Sequence, residues 1–127
     1  MSWERAPVAA ALAGILGNID AQVKAFELPP ETFNPPAFIV GYPQTVDYDV
    51  AAFGVDLVAL PIAAFCGTAE VDRVDALLTA AKVALEADLT LGGAVKACKP
   101  RTQQAWRRLS VAGAEVLGAD IVLEIRM

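Results

Sequence analysis

Large apolar residues near the start of the chain fall at Val8, Leu12, Ile15, Ile19, Val23 and Phe26. Steps of three and four place them on one face of a helix. The spacing predicts a helix from about Arg5 to Phe26, with Pro7 in the first turn, where its missing N–H has no partner to lose. The opposite face carries Ala10, Gly14, Gly17 and Ala21, again in steps of four, three and four, with Asn18, Asp20, Gln22 and Lys24 on the flanks. Each interior glycine costs about 1 kcal/mol relative to alanine. A smooth stripe of this kind permits close approach by another backbone; an exposed alanine-rich face is the bland alternative.

Leu28-Pro29-Pro30 stops that helix, and a proline-stiffened connector follows as far as Pro35-Pro36. Ala37-Phe38-Ile39-Val40 reads as a buried strand closed by Gly41-Tyr42-Pro43. Residues 44–54 form a polar and aromatic loop or hairpin arm with Asp47, Tyr48, Asp49 and Phe53. Val55 to Cys66 is a second strand. Pro61 within it cannot donate to a ladder, so the strand is an edge or it bulges there. Thr68 is a candidate N-cap for a second helix from about Ala69 to Ala87, with Glu70 and Asp72 in the dipole-favoured first turn. Val71, Val74, Leu78, Ala81 and Leu85 form its buried stripe. After the Leu91-Gly92-Gly93 turn come Ala94 to Cys98, a break at Lys99-Pro100-Arg101, and a strand over 104–111. The final strand, from about Val116 to Arg126, alternates with Ile121, Leu123 and Ile125 on one side. The order is α-β-β-α-β-β, with room for one extra strand. It predicts a single α+β domain whose mixed or antiparallel sheet is packed by two helices.

Composition changes this picture in one respect. The chain has 127 residues, enough for one domain that buries roughly two-thirds of its extended surface. Yet 56% of its residues are hydrophobic, 25 of them alanines, which is high for a soluble monomer. Either the genome favours alanine codons or apolar surface is reserved for partner subunits. The apolar run Val8 to Leu16 is too short for a bilayer and leads into Asn18 and Asp20, not into a cleavage site. The expectation is a soluble protein made in the cytoplasm, with no membrane partner. Cys66 and Cys98 sit in apolar runs and are expected to be buried free thiols.

Candidate chemistry is scarce. Histidine, the commonest general base and metal ligand, does not occur. Neither cysteine has a catalytic motif around it, and no phosphate-loop pattern occurs. Asp47 and Asp49, with Asp56 nearby, lack the ordered ligand series of a calcium loop. No enzyme, metal or cofactor is expected. Charge is uneven: residues 1–93 carry four Lys/Arg against twelve Asp/Glu, a balance of −8, and residues 94–127 carry six against three, a balance of +3. The stretch 96–108 holds Lys96, Lys99, Arg101, Arg107 and Arg108 around Trp106, with no acid. Such a stretch suits a protein interface, where Trp and Arg are favoured anchors, or a nucleic acid, or simply a solvated hairpin.

As a whole, the pattern is similar to a known family. An N-terminal helix leads to Leu28-Pro29-Pro30 and then to Pro36-Ala37-Phe38-Ile39-Val40-Gly41. Val46-Asp47-Tyr48-Asp49 follows, then a strand, a helix and Ala87-Asp88-Leu89-Thr90-Leu91-Gly92-Gly93-Ala94-Val95. The chain closes on Gly118-Ala119-Asp120-Ile121-Val122-Leu123-Glu124-Ile125. Over nearly its whole length it resembles the tail terminator proteins of siphophages. The resemblance implies a virion protein that forms a ring, typically a homohexamer, at the head-proximal end of the tail tube. Such a ring stops tube polymerisation and then meets the head completion or connector proteins, while genomic DNA passes through its lumen without sequence-specific binding. Ala10, Gly14, Gly17 and Ala21, the arm residues Asp47, Tyr48, Asp49 and Phe53, the helix acids Asp72 and Asp75, and Trp106, Arg107 and Arg108 are the candidate interface residues. Another head–tail neck protein, a cytoplasmic binding module and a non-catalytic subunit of an enzyme complex remain the alternatives.

Overall fold

The computed structural model describes residues 3–50, 55–111 and 113–127. Its elements run α1 (Arg5–Gly17), β1 (Lys24–Phe26), β2 (Ala37–Val40), β3 (Thr45–Val50), β4 (Val55–Gly67), α2 (Val71–Ala87), β5 (Ala97–Val111) and β6 (Ala114–Arg126). This is the expected α+β class, with one mixed sheet and two helices. The expected α-β-β-α-β-β order is corrected to α-β-β-β-β-α-β-β, because two further strands flank β2.

The first of these, β1, replaces the end of the expected helix. Helix α1 stops at Gly17, and Asn18 N–H donates back to the carbonyls of Ile15 and Leu16. The Asp20 carboxylate then accepts from Gln22 N–H at 2.9 Å, a local turn that competes with helix. Lys24–Phe26 leaves that turn extended and pairs parallel with Ala37–Ile39. Ala21 therefore lies in the turn and not on the helix.

Strands β2 and β3 run as one interrupted strand antiparallel to β4. Val40 is opposite Ile62 and Thr45 opposite Ala59, so two extra residues loop out where Pro61 stands. Gly41 N–H donates to the Pro61 carbonyl at 2.9 Å. The N–H that proline lacks would point the same way, so the bulge lies on the side where the ladder bond is missing. A Cβ on Gly41 would meet Pro61 Cγ at 2.8 Å, so glycine is needed for the approach. The expected alternative of an edge is corrected: β4 is central, paired with β6 on its other side from Leu57–Arg126 to Gly67–Val116. The expected break at Lys99-Pro100-Arg101 is likewise a register shift within one strand, β5, between Pro100 and Gln104.

Both helices cover one face of the sheet. Val8, Leu12 and Leu16 of α1, and Val74, Leu77, Leu78, Ala81 and Leu85 of α2, meet Leu60, Ile62, Ala119, Ile121, Leu123 and Ile125 in the main core. Residue Val71, expected in the buried stripe, is 50% exposed. Thr68 is not the cap. Glu70 takes that position without a side-chain bond into the helix, and its carboxylate accepts from Gly67 N–H at 3.1 Å. Both cysteines are free and buried, as expected.

Candidate functional site

The other face of the sheet has no helix. The connector 27–36 crosses it and sets Phe33 against Phe65 at 5.4 Å and Phe26 at 6.5 Å between ring centroids. Phe33 and Phe26 pack against a small second cluster of Ile39, Ala63, Phe65 and Val116. Arg5 ties this arrangement to the helix side. Its guanidinium donates to the carbonyls of Glu27 at 2.7 Å and of Val40 and Gly41 at 3.0 Å, and lies 5.6 Å from the centre of the Tyr42 ring. The connector, the end of β2 and the bulge are thus fastened to the start of α1.

Between the connector and the distal half of β5 lies a groove of about 440 Å3. Ile39, Pro61, Ala63 and Phe65 form its apolar floor, Pro29, Pro30 and Phe33 one wall, and Arg107, Leu109 and Val111 the other. Three residues in register across the sheet define its centre. Phe65 on β4 pairs with Gly118 on β6, which pairs with Arg107 on β5. The Phe65 ring occupies the space that a Cβ on Gly118 would need. It thereby reaches across β6, and the Arg107 guanidinium sits 5.4 Å from its centroid. Arg107 also donates to the Asp120 carboxylate at 2.8 Å. Farther along the hairpin, Arg101 donates to Glu124 at 2.8 Å. The basic stretch that carries no acid of its own therefore meets carboxylates from the neighbouring strand, and two of its cations are neutralised within the chain.

The expected interface residues do not form one patch within a single chain. Ala10, Gly14 and Gly17 are exposed on the outer side of α1, and a Cβ added at Gly14 would meet nothing within 4 Å. Asp72 and Asp75 are exposed on α2. Asp47, Tyr48 and Asp49 lie on β3, where Asp47 and Tyr48 are exposed; Phe53 is outside the described residues. Trp106, Arg107 and Arg108 lie on β5, whose residues 105–110 are all exposed. Arg107 and its neighbours on either side face opposite ways, so Arg107 lines the groove while Trp106, opposite Ala119, is on the helix-bearing face. Asp56 does not join Asp47 and Asp49: it is buried, and its carboxylate accepts from Trp3 N–H at 2.8 Å.

Sequence reasoning missed Arg5, Phe33, Phe65 and Gly118. The last carried a signal, since a glycine in a well-alternating strand points to close approach of another group.

Titration adds little chemistry. Burial, and then the nearby Asp88 carboxylate, push the Cys98 thiol up to about 11. Burial, with Glu70 adding to it and Arg73 opposing it, raises the Cys66 thiol. Neither is disposed to act as a thiolate nucleophile. Among the described residues, no cluster of three acids or cysteines is placed to hold a metal ion, and no helix is long and apolar enough to cross a membrane. A scan against protein-family models finds no match to this chain, and a search of curated proteins finds none.

Proposed function

We propose that the chain is a non-enzymatic structural subunit of a phage tail, acting as a tail terminator. It would form a ring, of six copies in the manner of the family it resembles, on the head-proximal end of the tail tube. There it would stop tube growth and present a surface to the head completion proteins, with DNA passing through the ring. The observation that carries this reading is the distal half of β5. Residues 105–110 are exposed on both faces although their partners Val116, Leu117 and Ala119 on β6 are buried. Trp106 at 41% and Leu109 at 38% exposure are large apolar side chains on an edge strand among arginines. Such a composition favours a protein partner over solvent.

The test is to mix the purified protein with tail tube protein and image the product. Tubes of fixed length that carry a ring at one end are expected. Tubes that keep growing, with the protein free or scattered along them, would sink the reading. Binding to head connector protein but not to the tube end would favour the neighbouring neck-protein assignment instead.

A further inference from the structure

The sheet runs β1–β2–β4–β6–β5, with β3 also paired to β4 beside β2, so β5 bounds one side and β1 and β3 together bound the other. Of these, β3 and β5 are unlike in charge. The β3 edge carries Asp47, Tyr48 and Asp49, and the β5 edge carries Lys99, Arg101, Trp106, Arg107 and Arg108. Three strand spacings, roughly 14 Å, separate them, so they cannot meet within one chain. The two edges run antiparallel, because each successive pair from β3 to β5 is antiparallel.

We infer that the distal half of β5 in one copy adds as an antiparallel strand to β3 of the next copy, so that the sheet continues from subunit to subunit around the ring. The inference rests on the ring reading above and names the contact that would build it. Three observations converge on a second copy as the occupant of this edge. First, the edges are complementary in charge. Pairing β5 with β5 would set arginines against arginines, and β3 with β3 would set aspartates against aspartates, both of which destabilise a ladder. Only the unlike pairing attracts, and a contact between unlike surfaces is the kind that closes a ring. Second, the faces agree. Asp47 pairs with Leu57, on the connector face that also bears Pro61, Ala63 and Phe65, and Arg107 lines the groove on that same face. Third, one register accounts for two exposed aromatics. Setting Asp47 opposite Arg107 places Tyr48, 68% exposed, opposite Trp106, and Thr45 opposite Leu109. Arg107 would then lie between Asp120 of its own chain and Asp47 of the neighbour. Aromatic and opposite-charge cross-strand pairs both stabilise a ladder.

Two experiments test this, each with the full chain and tail tube protein. In the first, Thr45→Cys and Leu109→Cys are combined in one chain. These positions are too far apart to bond within a subunit, and both native thiols are buried. Mild oxidation of assembled rings should give a ladder of linked subunits on a denaturing gel, ending at the ring number. Rings that form but yield only monomers on the gel would overturn the edge pairing and leave the ring reading standing. If no ring forms with the unmodified chain, both fail. In the second, Asp47→Arg and Arg107→Glu are made separately. Each alone should raise the concentration needed for assembly roughly tenfold, because like charges then face each other. An equal mixture should restore assembly, since the reversed edges of the two variants fit one another. A mixture no better than either variant alone would count against the pairing.

Discussion

The two faces of the sheet are built by different means. On the helix-bearing face, α1 and α2 bury a continuous layer in which Leu60, Ile62, Leu123 and Ile125 are wholly enclosed. On the connector face, one proline-rich crossing with Phe33 and a few side chains covers part of the sheet and leaves a groove. The first arrangement depends on volume and the second on individual fits: Phe65 over Gly118, Gly41 against Pro61, and Arg107 between Phe65 and Asp120. The difference separates what keeps the chain folded from what is free to meet a partner. The larger part of the buried apolar layer is on the helix face, and the connector face and the free edge beside it carry the surface proposed for recognition.

Leu123→Ala offers the hardest test of that division. It removes a fully buried side chain beneath the helices and should cost about 2–5 kcal/mol, read from urea unfolding. A cost below about 1 kcal/mol would mean that the helix layer is not the main store of stability. Gly118→Ala should come next, at about 1–3 kcal/mol, because the new methyl group collides with the Phe65 ring. The specific claim is coupling: in a Phe65→Leu background the same change should cost markedly less, and equal costs in both backgrounds would show that the two residues act independently. Asp120→Asn should cost no more than about 1 kcal/mol, since Arg107 is 45% exposed in that pair. Its larger effect should fall on assembly, where Arg107 loses its positioning partner. The smallest effect is confined to alkaline pH. Burial favours the protonated Cys98 thiol, so the folded state holds its proton up to about 11 while the unfolded chain releases it near 9.0. Stability should be indifferent to this group below pH 9 and should fall as pH rises from 9 towards 11. Cys98→Ala should flatten that part of the profile, and an unchanged slope would count against the buried-thiol account.

Legibility in the sequence followed the same division. The alternation of Ile121, Leu123 and Ile125 and the 3.6-residue stripe of α2 are local periods, and both survive in the structure. Local period also misled. Ile19, Val23 and Phe26 continue the helical spacing past Gly17-Asn18, yet the chain turns at Asp20 because β1 gains a parallel partner in β2, a pairing thirteen residues distant in sequence. Pro61 announced a defect in the ladder but not which neighbour would bulge to accommodate it. The connector face was illegible for a similar reason: Phe65 meets Gly118 and Phe33 across long stretches of chain, and no periodicity records such a meeting. Trp106, Arg107 and Arg108 stand out as candidates in composition alone. Their separation onto opposite faces followed once the strand was in place.

The central seam of the sheet has a consequence during synthesis. Strand β4 is paired with β6 along eleven consecutive positions, yet α2 and β5 are translated between them. At 5–20 residues per second, Ala114 leaves the ribosome roughly 2–10 s after Gly67. Throughout that interval β4 has nascent neighbours, β2 and β3, on only one side. An unpaired apolar strand of this length is a template for misassociation between chains on the same message. The nascent chain should therefore depend on ribosome-associated chaperones until β6 emerges, and slowing elongation between codons 68 and 114 should lower the yield of soluble protein.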